Sequence, residues 1–75
     1  MRTAVVNKAF LYFQMAIKIK PDYAGAHYNL GNALLDKGRI SEAISHYKTA
    51  IKLNPDFALA QKNLETVLLR SEELE

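Results

Sequence analysis

The sequence repeats itself at an offset of 34 residues. The offset superposes alanine, aromatic and proline positions of the first half on matching types further on: Ala9 on Ala43, Phe13 on Tyr47, Ala16-Ile17-Lys18 on Ala50-Ile51-Lys52, and Pro21-Asp22-Tyr23 on Pro55-Asp56-Phe57. Later positions follow suit, with Asn29-Leu30 on Asn63-Leu64 and Leu34-Leu35 on Leu68-Leu69. So many matches at one offset in a chain of 75 residues indicate an internal repeat.

Within the repeat, apolar residues recur every three or four positions, the spacing of an amphipathic helix. Pro21 and Pro55 interrupt the helical pattern because proline lacks the backbone donor that would continue it. Gly38 is a natural left-handed terminator. The punctuation predicts helices at about residues 4–20, 23–37, 41–53 and 56–72. Asp22 and Asp56 precede two of them, and we expect their carboxylates to cap those helices.

A 34-residue unit of two helices closed by proline resembles the tetratricopeptide repeat. The matching residues are Leu30, Gly31, Ala43 and Pro55, with Tyr47 in place of the usual Phe. His27 stands for a Trp and Leu34 for a Tyr, so the sequence departs from the pattern at both positions. With its flanking half-repeats, the resemblance covers nearly the whole chain.

The resemblance implies an all-α fold, an α-α superhelix in which four antiparallel helices form one domain over residues 1–75. They would comprise a half repeat, one full repeat over residues 24–57 and a terminal capping helix. Gly31 would let a neighbouring helix approach closely, whereas Glu65 at the equivalent place would block such an approach. The residues expected to be buried in the last three helices are Ala26, Leu30, Ala33 and Leu34, then Ile40, Ala43, Ile44, Tyr47, Ala50 and Ile51, then Ala60, Leu64, Val67 and Leu68.

Composition excludes several functional classes. A net charge of +2 is too small, and too evenly spread, to suggest a nucleic-acid partner. No apolar run approaches the length of a membrane span, and Asn7 and Lys8 interrupt the N-terminal apolar stretch, so we read it as a helix and not as a signal peptide. The chain contains no cysteine, and therefore no disulfide or thiolate chemistry. We expect a cytoplasmic protein with no membrane partner.

The pattern provides no catalytic or metal-binding constellation. His27 and His46 belong to different helices and are expected to lie apart, His27 in the core and His46 on an exposed face. Neither has a carboxylate or thiolate at ligand spacing, so no metal site is predicted. The three glycines form no phosphate-binding loop. We therefore expect neither an enzyme nor a cofactor.

The first helix of each tetratricopeptide repeat lines the concave face of the array, and the resemblance implies that this face binds a protein or peptide. By the alignment of the motif, the expected residues are Tyr28, Asn29, Asn32, Asp36, Lys62, Asn63, Thr66 and Arg70. Asparagine amides both donate and accept, so a row of them can pair with an extended peptide backbone. The same row is a feature of the repeat region of O-linked N-acetylglucosamine transferases, which this sequence resembles locally. Alternatively, these amides bond to neighbouring helices or to water.

Another subgroup of the family grips the C-terminal carboxylate of chaperones with Lys and Asn residues from three successive first helices. Asn32 and Asn63 match two of those places, but Tyr28 stands where the first Lys is expected. The third helix of that set has no counterpart in the sequence. The pattern therefore does not favour carboxylate capture.

The first helix carries an unusual outer face. Where the third helix has Ser45, His46 and Thr49, the first has Leu11, Tyr12 and Met15. A helix that is apolar on nearly all sides is normally buried on all sides. We therefore predict self-association through Val5, Leu11, Tyr12, Met15 and Ile19, as a dimer or by exchange of helices. The alternative is a structural piece, or a fragment of a longer array, with no ligand of its own.

Overall fold

The computed structural model describes the backbone of residues 2–74 and the side chains of residues 8–70. The described part consists of four helices: α1 (Arg2–Ile19), α2 (Ala24–Asp36), α3 (Ile40–Leu53) and α4 (Ala58–Leu74). The all-α prediction is confirmed, and no helix boundary differs from its predicted position by more than two residues. The 34-residue repeat therefore consists of two helices joined by a short turn, as its periodicity predicted.

Each helix packs on its neighbour in the chain: α1 on α2, α2 on α3, and α3 on α4. The most extensive packing joins α2 to α3, the two helices of the full repeat. The molecule measures 35 × 33 × 16 Å, so it is thin in one direction. In so thin a stack, every helix keeps one face near the surface.

The core lies where α2, α3 and α4 meet. Its fully buried centre is Tyr47 and Leu34, and Leu30, Ala43 and Val67 complete the cluster. Helix α1 adds its inner apolar stripe from the other side of α2, through the partly buried Phe10, Phe13 and Ile17. The buried residues predicted for α2 are confirmed.

Two residues predicted to be buried keep more than a third of their surface exposed. Leu68 has 41% of its surface exposed, although its counterpart Leu34 is fully buried. The reason is that α3 covers Leu34, whereas no later helix covers Leu68 within the described residues. Ile40 is 36% exposed because it is the first residue of α3 and lies beside the turn.

Gly31 makes room for the buried ring of Tyr47. A Cβ atom added at Gly31 would lie 2.7 Å from Cε1 and 2.9 Å from Cδ1 of that ring. The ring is completely buried and cannot move aside easily. A glycine inside a helix costs about 1 kcal/mol relative to alanine. The close contact explains why the helix carries one, as the sequence predicted.

Gly38 ends α2 with a positive φ of 79°, as its type predicted. The Gly38 N–H donates to the Leu35 carbonyl, and the Arg39 N–H donates to the Leu34 carbonyl. These two bonds form a Schellman motif, which satisfies carbonyls that the end of the helix would otherwise leave unpaired.

The prediction that aspartates cap the following helices is wrong. Helix α2 follows Tyr23 as its N-cap residue, and no side chain makes a capping bond there. Helix α4 begins at Ala58, two residues after Asp56. In that turn the Asp56 N–H donates to Oδ1 of Asn54 at 3.2 Å. Both aspartates thus lie too early in the turn to reach the first free amides of the helix.

Candidate functional site

The eight residues expected on the binding face come from α2 and α4, four from each, and we refer to this surface as the α2–α4 face. They occupy the same four positions of the repeat, so that Tyr28, Asn29, Asn32 and Asp36 correspond to Lys62, Asn63, Thr66 and Arg70. The structure brings three of them, Tyr28, Asn32 and Asn63, into direct contact. Asn29 is half-buried, and the other four are exposed.

A hydrogen-bonded network at the centre of this face joins three helices. Nδ2 of Asn63 on α4 donates to Oδ1 of Asn32 on α2 at 3.0 Å, and to the Tyr28 hydroxyl at 3.4 Å. From α3, the Tyr47 hydroxyl donates to the same Oδ1 of Asn32 at 2.5 Å. The side-chain oxygen Oδ1 of Asn32 therefore links α2 to both α3 and α4.

The network uses only part of the hydrogen-bonding capacity of its amides. Nδ2 of Asn32 and Oδ1 of Asn63 make no bond to the described part of the chain. Asn29 makes no side-chain bond there either. A reason follows from the repeat: Asn29 corresponds to Asn63, whose partner is Asn32 in the preceding repeat, and the described residues hold no such repeat before α2. The α2–α4 face thus presents one donor, Nδ2 of Asn32, one acceptor, Oδ1 of Asn63, and the whole side-chain amide of Asn29.

Of the two alternatives for the asparagine row, the structure shows bonds to neighbouring helices, and binding of a peptide stays a prediction. Asn32 and Asn63 each spend one amide atom on neighbouring helices. Their other amide atoms and the whole Asn29 amide remain for an external group. The Thr66 hydroxyl, in contrast, donates to the Lys62 carbonyl of its own helix at 3.0 Å.

Tyr47 is a member of the site that the sequence placed only in the core. Its ring is buried among apolar residues, while its hydroxyl reaches the α2–α4 face. Burial raises the pKa of Tyr47 above its ordinary value of 10.0. The Asn63 side chain opposes this shift, while Tyr28 and Asp36 add to it. The sequence did contain a signal for this role: Tyr47 stands where the repeat pattern has phenylalanine, and a buried tyrosine hydroxyl usually needs a hydrogen-bond partner.

The two histidines contradict the expectation that they lie apart. Nδ1 of His27 lies 3.1 Å from Nδ1 of His46, and the two ring planes are inclined by 27° with their centroids 5.3 Å apart. His27 is buried, as predicted, but His46 is only half-exposed. The expectation was wrong because it considered each helix alone, whereas packing of α2 on α3 brings these two faces together.

The other ring nitrogen of His27 holds the turn between α1 and α2. Its Nε2 lies 2.9 Å from the carbonyl oxygen of Pro21. The next repeat contains the same contact, because Nε2 of Gln61 donates to the carbonyl oxygen of Pro55 at 2.5 Å. Position 27 and its counterpart at 61 therefore fasten the proline turn to the following helix, whichever side chain supplies the N–H.

The outer face of α1 is exposed, as predicted. The exposed fractions are 59% for Leu11, 70% for Tyr12, 63% for Met15 and 81% for Ile19. Tyr12, Met15 and Ile19 also line a groove of about 350 Å³, together with Ala16, Lys20 and Tyr23. The side chain of Val5, the fifth predicted association residue, lies outside the described residues. We refer to Leu11, Tyr12, Met15 and Ile19 as the α1 outer face.

Neither metal nor membrane features occur in the described part of the chain. It holds no group of three or more His, Cys, Asp or Glu side chains that could bind a metal ion. None of its helices is both long enough and apolar enough to cross a membrane.

Comparison with protein families decides the affiliation of the chain. The tetratricopeptide repeat model matches residues 24–57, which contain α2 and α3 with their turns. A second model, described as TPR repeat, matches residues 7–38, which contain most of α1 and all of α2. The two matches together span residues 7–57, more than half of the chain. The chain belongs to the tetratricopeptide repeat family. No curated protein matches it significantly.

Tetratricopeptide repeats are in general modules for protein–protein interaction, not catalytic domains. In this tetratricopeptide repeat protein, the matched residues include the whole His27–His46 pair and the α2 half of the α2–α4 face. Residues of α4 lie beyond both matches. Its assignment as a further first helix comes from the 34-residue offset and from its packing on α3.

Proposed function

We propose that this protein is an interaction module that binds an extended segment of a partner protein on the α2–α4 face. The observation that carries the proposal is the set of free amide atoms on Asn29, Asn32 and Asn63. An extended backbone offers alternating N–H and C=O groups, and an amide side chain can pair with both. The network with Tyr47 and Tyr28 holds two of the amides in position before a ligand arrives.

The spacing of the helices supports the same ligand. Helices α2 and α4 come close enough for the bond of 3.0 Å between Asn32 and Asn63, and an extended chain advances roughly 3.3 Å per residue. An extended segment crossing the face could therefore meet Asn29 or Asn32 on α2 and Asn63 on α4. We propose in addition that the asparagine row resembles that of the repeat region of O-linked N-acetylglucosamine transferases, a resemblance that rests on the sequence pattern alone.

Charge on the rim would then select among segments. At two of the four equivalent positions, α4 carries a cation where α2 does not: Lys62 corresponds to Tyr28, and Arg70 corresponds to Asp36. A bound segment would thus meet positive charge along α4. We expect acidic side chains on the part of the segment that crosses α4.

The test is selection of peptides from a random library by the wild-type protein, followed by affinity measurements with variants. Asn29→Ala removes only a free amide, so the protein should remain folded and its affinity for the selected peptides should fall. Asn32→Ala alone would leave the buried Tyr47 hydroxyl without its acceptor, so it is combined with Tyr47→Phe. Ser45→Ala, on the exposed side of α3, is the matched control. Unchanged affinity in a folded Asn29→Ala, Asn63→Ala variant would contradict the proposal.

We also propose that two copies associate through α1, burying Leu11, Tyr12, Met15 and Ile19 together with Val5. Each large apolar side chain removed from water contributes roughly 1.5–3 kcal/mol. The geometry at Gly31 argues against head-to-tail stacking of copies. In such a stack, Phe13 of one copy would take the place of Tyr47 and meet Glu65 in the place of Gly31, where even a Cβ comes within 2.7 Å. A two-fold dimer or an exchange of helices avoids this clash.

Light scattering over a wide concentration range tests the association. We expect a dimer that dissociates when Leu11, Tyr12 and Met15 become Ser, His and Thr, the residues that α3 carries at the same positions. Exchange of Ser45 and Thr49 for Ala serves as the control. A folded wild-type monomer at all concentrations would rule out association. Together with a lack of selected peptides, it would favour the alternative of a structural piece from a longer array.

A further inference from the structure

The hydrogen bonds of the two histidines assign the positions of their protons. The Pro21 carbonyl oxygen can only accept, so Nε2 of His27 must carry a hydrogen. In neutral His27, Nδ1 is then an acceptor. Nδ1 of His46 must therefore carry the hydrogen of the 3.1 Å bond between the rings. In the neutral pair, His46 thus donates a hydrogen bond to His27, and His27 donates one to the Pro21 carbonyl.

One additional proton can be added without breaking this chain of hydrogen bonds. If Nε2 of His46 takes the proton, its Nδ1–H still donates to His27. If His27 takes it instead, its Nδ1–H donates to His46, and the hydrogen of His46 moves to Nε2. With a second proton, both Nδ1 atoms carry hydrogens and face each other at the 3.1 Å contact. The bond is then lost, and two cationic rings 5.3 Å apart repel each other.

The surroundings of the pair do not compensate for a second charge. From α3, Glu42 favours the charged form of His46, but both of its carboxylate oxygens bind Arg39, at 2.9 and 2.7 Å. From the α1–α2 turn, the charged neighbours along the chain are Lys20, whose ammonium lies 5.8 Å from the Tyr23 ring centroid, and the exposed Asp22. No described titratable group of α4 contributes to the shift at His46. Burial, followed by the charge of His27, lowers the pKa of His46 below its ordinary value of 6.5.

We propose that the His27–His46 pair is a proton-sensitive latch, which holds α2 against α3 with at most one bound proton and opens when both imidazoles are protonated. Opening would break the bond between the two rings and weaken the packing of α2 on α3, whereas Nε2 of His27 keeps its hydrogen and goes on donating to the Pro21 carbonyl. Mild acid would therefore loosen the contact between α2 and α3 and leave the bond to the Pro21 turn in place. The inference does not depend on the proposed function, because its tests use the isolated chain.

The direction of the pH effect follows from linkage. The unfolded chain binds a proton at His46 more readily than the folded chain, because the folded pKa is lowered. The contribution of neutral His46 to the stability of the fold is therefore fully present above pH 6.5. It is lost as the pH falls from 6.5 towards the folded pKa of His46. His27 and His46 are the only histidines of the sequence, and it contains no cysteine. Changes in stability between about pH 7 and pH 5 therefore report mainly on this pair.

The chain supplies its own non-titrating replacement for His27. Gln61 makes at Pro55 the contact that His27 makes at Pro21. His27→Gln should therefore keep the bond to the turn while removing one imidazole ring. His46→Gln removes the other ring, and the double variant removes both. These four proteins form a double-mutant cycle that can be measured at each pH.

Thermal unfolding of the four proteins at pH 7 and pH 5, at one protein concentration, tests the latch. For the wild type we expect the midpoint to fall by roughly 4–8 °C between these pH values, the size of a modest change in stability for a domain of this length. The double variant should change little. The wild-type fall should exceed the sum of the falls in the two single variants, since only the pair carries two charges in contact. Additive falls, or equal falls in the wild type and the double variant, would overturn the proposal.

Imidazole proton resonances of the wild type provide a second measurement that needs no variant. Coupled rings take up their protons in two separated macroscopic steps. We expect the second step to coincide with broadening or shifts of the amide signals of α2 and α3 around His27 and His46. Two overlapping titrations typical of independent histidines, with no change in those amides, would refute the latch.

Discussion

Helices α1 and α3 occupy the same position in two successive repeats, and their inner faces are nearly the same. Ala9 corresponds to Ala43, Phe13 to Tyr47, and Ala16 to Ala50. The environments differ, because α3 packs on both α2 and α4, whereas α1 packs on α2. As a result, Tyr47 is completely buried, while Phe13 remains partly exposed. The same inward pattern gives different burial according to the number of neighbouring helices.

The outer faces of the two helices differ in sequence as well as in environment. Helix α3 has Ser45, His46 and Thr49 where α1 has Leu11, Tyr12 and Met15. The polar His46 contacts α2, whereas its counterpart Tyr12 is 70% exposed. Helix α1 is instead held near its middle by Phe10, whose ring lies 4.8 Å from Nζ of Lys37 and 5.4 Å from Cζ of Arg39. The residues on the inner faces give both helices the same place in the repeat, and the residues on the outer faces distinguish α1 from α3.

The largest expected difference between α1 and α3 is the effect of truncating their equivalent aromatic residues. Tyr47→Ala should lower the free energy of unfolding by about 3–5 kcal/mol, because it opens a cavity in the buried cluster. Phe13→Ala should cost clearly less, because part of that ring already contacts water. Urea unfolding followed by circular dichroism, at one protein concentration, measures both. Equal losses would mean that α1 is buried as deeply as α3 in solution.

Substitution of Gly31 tests how closely α3 approaches α2. Gly31→Ala should destabilise the protein by about 1–3 kcal/mol, since the new methyl group would press against the buried Tyr47 ring. Gly25→Ala is the matched control in the same helix. Its Cβ would meet the Tyr23 ring at 3.2 Å, and that ring is 49% exposed and free to move. A stable Gly31→Ala variant would show that α2 and α3 can separate without loss.

A third comparison concerns the hydroxyl group that Tyr47 has and Phe13 lacks. Tyr47→Phe should cost about 0.5–1.5 kcal/mol at neutral pH, because it removes the bond to Asn32. Above pH 10 this difference should shrink. Burial raises the folded pKa of Tyr47, so its contribution is present below pH 10.0 and is lost as the pH rises through the folded pKa.

Chemical unfolding of both proteins between neutral and alkaline pH measures this effect. Tyr12→Phe, which alters an exposed tyrosine of α1, should leave stability at neutral pH unchanged. If the wild type and the Tyr47→Phe variant lose stability in parallel above pH 10, the hydroxyl is not held in the network.

The smallest expected difference lies at the start of the two helices. Helix α3 has the ion pair of Arg39 and Glu42, while α1 has Val5 and Lys8 in their places. The paired side chains are 44% and 52% exposed, so Glu42→Gln should cost only about 0.2–1 kcal/mol. The cost should decrease in high salt. Lys8→Ala should have no measurable effect, and a salt-independent loss in Glu42→Gln would indicate a role other than ion pairing.

Most of the fold could be predicted from the sequence because its signals are local or periodic. Helical spacing, Pro21, Pro55 and Gly38 fix where the four helices lie, and the 34-residue offset relates them. The exposed Leu11, Tyr12 and Met15 could also be predicted, by comparing equivalent positions of the two repeats. The error at Leu68 arose where the environment breaks the symmetry of the repeat, and the error at Ile40 arose where a helix begins beside a turn.

The candidate site could be predicted only as a set of positions. The sequence by itself placed Asn29, Asn32 and Asn63 on one face only through its resemblance to the tetratricopeptide repeat, because helical periodicity relates residues within α2 but not across α2 and α4. Tertiary structure alone decided that Asn63 and Tyr47 meet at one oxygen of Asn32, and that Asn29 is left free. It likewise decided that His27 and His46, 19 residues apart, share a hydrogen bond. Such contacts depend on side-chain rotamers and on the approach of two helices within a few ångströms, neither of which a spacing rule specifies.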